Sequence, residues 1–319
     1  MHRTTLLYLT IALASLATGA ARADDVCTAA EYQAGEADLA RAQAAEAAGN
    51  AAEALRIALN VRGCVDDESA QRNLIVRNSH QLGQAAEAAG NLEAAFDYYN
   101  GAIIYEQYEN PKPFDVLANA RRVALARIEA APTDRQLASQ VLQFMNYHQL
   151  ADGVDEILRH IDAQARRVLA EEERVFTINV PQKELLTEVE DWLAAAILTG
   201  VPELDGKTRA ALMARYLARG DQFAALDYHT ALERALYYYE DAERADKQES
   251  VRAKARQLAD QRAAGDNWAE AARLYELAGD TDKAQALTER REASAAEQEA
   301  ERKEKFQAEQ DDLEKELGF

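Results

Sequence analysis

The chain has 319 residues, only 14 Gly and 5 Pro among them, 48% apolar residues and a formal charge of −20. An average chain carries about 12% Gly plus Pro, so a turn-rich sandwich or barrel is excluded, and the apolar content excludes global disorder. The negative charge excludes nucleic acid or an anionic membrane surface as the main partner, because phosphate binding needs a basic face.

The N-terminus comes first. His2 and Arg3 precede an apolar run from Leu6 to Leu16, and small residues then lead to Ala21, Arg22 and Ala23. This three-part pattern predicts a secretory signal peptide over residues 1–23, with a mature chain from Asp24. The apolar run is too short for a bilayer, which takes roughly 20 residues, and no second long apolar run follows. The mature protein is therefore expected not to span a membrane, and to be periplasmic or else secreted. Export makes Cys27 and Cys64 a disulfide, since thiols pair in an oxidising compartment. The bridge would staple the start of the first helical hairpin to its end.

The body reads as all-α. Ala, Leu, Glu, Arg and Gln dominate, and these residues lose little rotamer freedom in a helix. Gly-Asn and Gly-Asp pairs punctuate the apolar periodicity at Gly49-Asn50, Gly90-Asn91, Gly220-Asp221, Gly265-Asp266 and Gly279-Asp280. Gly suits the residue past a helix end, and Asn or Asp can cap the next helix. Each pair thus predicts a tight turn between antiparallel helices, the last two bracketing a helix at Asn267–Ala278. Pro132 followed by Thr133 and Gln136 reads as a capping box. Pro181 suits the first turn of a helix beginning near Gln182.

One stretch carries a repeat signature: Leu82, Gly83, Ala86, Gly90, Ala95, Tyr99 and Ala102. It resembles a tetratricopeptide repeat (TPR), in which a Leu-Gly pair lies in the first helix and a Gly at the turn. A small residue in the second helix lets the pair approach, and an aromatic one turn later fills the gap. Leu212, Tyr216, Gly220 and Ala225 form a second match, with Met213 in the small-residue place and His229 in the aromatic one. Gly49 with Ala54 is a weaker third, and Asn267–Ala284 a degenerate fourth. The spacing is irregular: Gly49 and Gly90 are 41 residues apart against a period of roughly 34. The resemblance implies a divergent TPR-like superhelix of antiparallel helical hairpins. It also implies that ligands lie on the face lined by first helices, which places Arg77, His80, Gln84 and Glu87 as the candidate binding face.

From Arg174 to Pro181 the chain is β-branched and ends in Pro, and a lone strand is unstable. This segment reads as an extended connector. It separates an N-terminal TPR-like section, residues 24–173, from a C-terminal one, residues 182–288. Residues 289–319 form a charged C-terminal helix that projects from the body, with acid-first i,i+4 pairs at Glu299–Lys303, Glu301–Lys305 and Asp311–Lys315. Phe306, Leu313 and Leu317 share a sparse apolar stripe and Phe319 ends the chain, which makes these four a candidate partner-docking tail.

Sequence motifs for catalysis are missing. The histidines at 2, 80, 148, 160 and 229 form no H-E-x-x-H, and no P-loop, G-x-S-x-G or EF-hand loop occurs. Glu249-Ser250 precedes Val251 rather than the Gly-Leu-Met-Gln-like run of lytic transglycosylases. No metal and no cofactor are expected. Tyrosines cluster at Tyr98, Tyr99, Tyr105 and Tyr108 and again at Tyr237, Tyr238 and Tyr239, and because three adjacent tyrosines cover most of a helix circumference, at least one of the second group is expected to be partly exposed. The expected function is therefore a non-catalytic periplasmic protein-interaction scaffold that binds a peptide segment or an envelope protein. The alternatives are an envelope glycan or peptidoglycan hydrolase with a carboxylate pair in the cleft, and a rod that self-associates through the C-terminal helix.

Overall fold

A computed structural model describes residues 27–61, 64–109, 112–180, 183–197 and 206–317, with the backbone alone for 312–317. The expected signal peptide, Pro181 and Phe319 lie outside the described residues. The rest is helical: α1 (Ala29–Ala47), α2 (Ala51–Asn60), α3 (Glu68–Ala88), α4 (Leu92–Glu106), α5 (Val116–Ala130), α6 (Arg135–Tyr147), α7 (Ala151–Val175), α8 (Lys183–Ile197), α9 (Lys207–Ala224), α10 (His229–Asp241), α11 (Ala245–Ala264), α12 (Trp268–Ala278) and α13 (Thr281–Leu317). The chain forms two compact units, one up to Leu137 and one from Ala138.

In the first unit, α1 packs on α2, α2 on α3, α3 on α4 and α4 on α5, and α1 also touches α3. Side-chain caps set where these helices begin. Thr28 and Glu31 form a capping box on α1. Asn50, Asp67, Asn91 and Asp115 each accept a first-turn N–H of α2 to α5, and each cap is worth about 1 kcal/mol. Gly49 and Gly90 end α1 and α3 at φ +76° and +75°, a conformation that favours glycine. Leu39, Leu55, Ile57, Leu74 and Ile75 bury the apolar sides of α1, α2 and α3 in one core.

The disulfide Cys27–Cys64 forms as expected, with Cα atoms 5.9 Å apart, and joins the entry of α1 to the loop after α2. Closing a loop of this length stabilises by about 4 kcal/mol in the chain-entropy picture. The 64–67 segment crosses α1 at Gly35, where a methyl group would lie 2.1 Å from the Cys64 carbonyl oxygen. Glu36 accepts the Asp66 N–H at 2.7 Å on the same side.

In the second unit, α7 packs on α8, α9 on α10, α10 on α11, α11 on α12 and α12 on α13, with further contacts of α9 to α7 and α8 and of α10 to α12. Asn267 caps α12 and Gly279 ends it at φ +83°, close to the expected bounds. Two predicted helix ends are corrected. Asp134, not Thr133, starts α6, its carboxylate accepting the Leu137 N–H at 2.9 Å. Gly220-Asp221 is not a turn: both residues lie inside α9, which runs on to Ala224.

The reason Gly220 is a glycine is packing. A methyl group there would lie 2.6 Å from Cε1 of Tyr239, as one at Gly83 would from Cε1 of Tyr99. In the second match to the repeat signature, Gly220 therefore plays the part of Gly83 rather than of Gly90. His229 opens α10, while Tyr239 near its end supplies the aromatic ring.

The segment expected to be extended from Arg174 starts inside α7, which runs to Val175; Phe176 is extended, and Thr177–Val180 close a tight turn, the Val180 N–H donating to the Thr177 carbonyl at 3.1 Å across an isolated antiparallel bridge. At the other end, α13 has 37 residues, a rod of about 55 Å. It starts against α12 with Ala284 buried and Arg290 over the Trp268 ring at 4.8 Å. Residues 295–311 are exposed throughout, and Lys303 pairs with Glu299 at 2.8 Å.

Gly101 lies mid-α4, and among the described residues nothing comes within 4 Å of an added methyl group. Gly83→Ala is expected to cost about 1–3 kcal/mol through overpacking, whereas Gly101→Ala stabilises by up to about 1 kcal/mol through helix propensity. Urea unfolding of the two variants checks this, and shifts of the same sign contradict it.

Candidate functional site

The expected binding residues Arg77, His80, Gln84 and Glu87 do share one stripe of α3, since their spacing of 3, 4 and 3 follows the helical turn. Three of the four are engaged with other helices. Arg77 donates to both oxygens of Glu46 on α1, at 3.0 and 2.9 Å, and Asn78 adds a bond to Glu46 Oε1 at 2.9 Å. The hydrogen bonds that Arg77 donates to Glu46 hold the Arg77 pKa above its ordinary value.

Glu87 receives the Tyr99 hydroxyl at 2.8 Å and both terminal nitrogens of Arg122 on α5. Arg122 chiefly, with help from Tyr99, keeps its carboxyl below the usual range. His80 is half-buried, stacks on Phe114 at 4.6 Å and tilts against Tyr99 at 5.9 Å. Burial pushes its pKa down while Glu106 and Glu87 pull it back. Gln84 is exposed. The stripe is thus a polar seam across α1, α3 and α5.

Its far edge is fixed by Glu106, a buried carboxylate that accepts the Phe114 and Val116 N–H groups at 2.9 and 2.8 Å. These bonds satisfy backbone donors at the start of α5, which helix geometry leaves without intrahelical partners.

The candidate tail is only partly described. Phe306 is 61% exposed on α13. Leu313 and Leu317 lie in the same helix with their backbone alone described, and Phe319 lies outside the described residues.

The second unit contains a buried ionic cluster that sequence reasoning missed. Glu172 near the end of α7 has no exposed surface. Arg219 of α9 donates to it at 2.9 and 3.1 Å and Arg215 at 2.9 Å, while Arg215 also reaches Glu173 at 2.8 Å. The Arg219 guanidinium lies 3.6 Å over the Phe176 ring. Phe176 meets Phe223 edge-on, and Phe223 stacks on Tyr238 at 5.6 Å. The Tyr238 hydroxyl is buried without a hydrogen-bond partner, and burial pushes its pKa up to about 12. The signals present in the sequence were Arg215 and Arg219 at i,i+4 spacing and the run of three acids at 171–173. Nothing in that run says which acid is buried.

A shallow cleft of about 280 Å³ is lined by Asp221, Tyr239, Lys247, Ser250, Val251 and Lys254 among others. Its charged groups and Tyr239 are paired within the chain. Asp221 takes the Tyr239 hydroxyl at 2.6 Å and Lys247 at 3.1 Å. Lys254 donates to the carbonyls of Ala224 and Leu226 at 2.8 and 3.2 Å, a cation at the C-terminal end of α9. Glu249 and Ser250 diverge in role, Glu249 facing Arg256 at 3.4 Å while Ser250 faces the cleft. Of the three adjacent tyrosines in α10, Tyr238 and Tyr239 are buried and Tyr237 is exposed. Among the described residues no group of three or more His, Cys, Asp or Glu is placed to hold a metal ion, and no helix is long and apolar enough to cross a membrane.

No protein-family model matches the chain, and neither a curated protein nor a solved structure matches it.

Glu172 is paired with both Arg215 and Arg219 and so ties α7 to α9. Glu172→Ala leaves Arg219 buried without its carboxylate and is expected to cost about 3–5 kcal/mol in urea unfolding. A loss below about 1 kcal/mol, the scale of a surface pair, would contradict this.

Proposed function

We propose that the chain is an exported, TPR-like scaffold that binds a protein or peptide segment without catalysis. The observation that carries this reading is the contact pattern within each unit, where helices pack on neighbours adjacent or next-but-one in sequence. Such packing is quasi-one-dimensional. It leaves the long sides of a helical stack free for partners, as in repeat proteins. The disulfide supports an oxidising compartment.

In the first unit, ion pairs join α1 to α3 and α3 to α5, which makes this seam a rigid polar surface. Gln84 sits exposed between Arg77–Glu46 and Glu87–Arg122, so a partner would meet hydrogen-bonding side chains held in place. The abundance of acid over base means that the partner tolerates or prefers an acidic surface. A second reading, self-association through the C-terminal helix, is favoured by the exposure of residues 295–311.

Photocrosslinking in the native cell envelope tests this, with the reactive group placed at Gln84 and separately at Phe306. A distinct envelope protein captured at Gln84 is the expected result. A crosslink between two copies at Phe306 would support self-association instead. No species above background at either position would contradict the scaffold reading.

A further inference from the structure

Mid-helix glycines in this chain mark close approach. Gly35 lies under the Cys64 carbonyl, Gly83 under the Tyr99 ring and Gly220 under the Tyr239 ring. Gly101 is a helical glycine of another kind: it is exposed in the middle of α4, and among the described residues nothing lies within 4 Å of a methyl group added there. It weakens a helix that an alanine would strengthen, and the fold offers no packing reason for it.

Its neighbours on the helix surface are informative. Glu93, Asp97, Gly101, Ile104 and Tyr108 follow one another at spacings of 4, 4, 3 and 4, and all five are exposed. The first four form a single stripe on α4 about 17 Å long, and Tyr108 stands in the turn just past the end of that helix. Ile104 is 48% exposed and Tyr108 68% exposed. Arg72 from α3 lies 5.5 Å over the Tyr108 ring while reaching Glu109 at 3.6 Å and Glu68 at 3.0 Å. The lower half of the stripe is thus bare backbone flanked by an apolar and an aromatic side chain, with a guanidinium propping the ring.

The upper half is acidic. Desolvation raises the Asp97 carboxyl above its usual range. Arg127 of α5 pulls it down and Glu93 pushes it further up. Arg127 itself sits over the Phe96 ring at 5.1 Å. Cationic charge supplied from outside would stabilise the ionised carboxyl.

We propose that this stripe of α4 is a docking surface for a basic amphipathic helix of a partner protein. The partner's backbone crosses α4 at Gly101, its apolar residues pack on Ile104 and Tyr108, and its Lys or Arg residues meet Asp97 and Glu93. The missing side chain at Gly101 admits the close crossing, as small residues do between packed helices. The acidic end sets the orientation and the sign of the partner's charge. A second copy of this chain is the poorer occupant, because each copy carries a charge of −20. The proposal rests on the scaffold reading and names one surface and one class of partner for it.

The test uses the full mature chain and two synthetic helical peptides that share a leucine face, one with lysine and one with glutamate on the polar face. Fluorescence anisotropy is expected to show the lysine peptide binding at least about tenfold tighter than the glutamate peptide. Gly101→Leu, which fills the crossing point without weakening α4, is expected to reduce lysine-peptide binding by about tenfold or more. Asp97→Asn is expected to reduce it as well. Equal binding of the lysine peptide by the wild type and Gly101→Leu overturns the proposal, since attraction to the overall charge alone does not depend on Gly101. So does a doubling of mass in sedimentation that Gly101→Leu abolishes, which would make the occupant a second copy. A natural partner captured at Gln84 whose binding ignores Gly101→Leu overturns this surface while leaving the scaffold reading intact.

Discussion

Two helical hairpins of this chain are fixed by an aromatic ring laid against bare helix backbone. Tyr99 of α4 covers Gly83 of α3, and Tyr239 of α10 covers Gly220 of α9. Each ring is buried, and burying a phenol costs less when its hydroxyl has a partner. The facing helix supplies one a short distance along: Glu87 takes the Tyr99 hydroxyl at 2.8 Å and Asp221 takes that of Tyr239 at 2.6 Å. Tyr275 of α12 bonds Asp260 of α11 in the same sense. The glycine sets how close two helices come, and the carboxylate sets their register. Burial first and then the carboxylate push the Tyr99 pKa up to about 12, so the neutral phenol is the form that the fold favours.

The excess of acid over base gives the basic residues structural work. Glu87 serves both Tyr99 and Arg122 and so links the α3–α4 contact to α5. Arg77 ties α3 back to α1 through Glu46. In the second unit Arg215 and Arg219 converge on Glu172. These pairs hold helices together rather than waiting for ligand, although the seam that they build is the surface on which ligand contact is proposed.

The helical character, the turns at Gly49 and Gly90 and the cap at Asn267 were legible because each follows from local chemistry, and the Cys27–Cys64 bridge because the chain has just two cysteines. Gly220-Asp221 misled because a glycine before Asn or Asp serves two purposes. After Ala89 the glycine is a helix stop at positive φ, whereas in α9 it is a contact surface. Sequence alone does not separate these, since the ring that needs Gly220 lies 19 residues away in the next helix. The α3 stripe was visible as a stripe, but its partners Glu46, Arg122 and Phe114 come from other helices and only folding assembles them. Glu172 was hidden among three adjacent acids for the same reason.

Tyrosine on glycine, with an acid on the hydroxyl, accounts for the geometry of the α3–α4 and α9–α10 hairpins. A double-mutant cycle tests it most directly, combining Gly83→Ala with Tyr99→Leu and measuring unfolding free energies of all four chains. If the ring is what excludes a side chain at position 83, the cost of Gly83→Ala largely disappears when Tyr99 is leucine, and the two changes are strongly coupled. Additive costs, with Gly83→Ala equally damaging in the Tyr99→Leu background, would contradict the account.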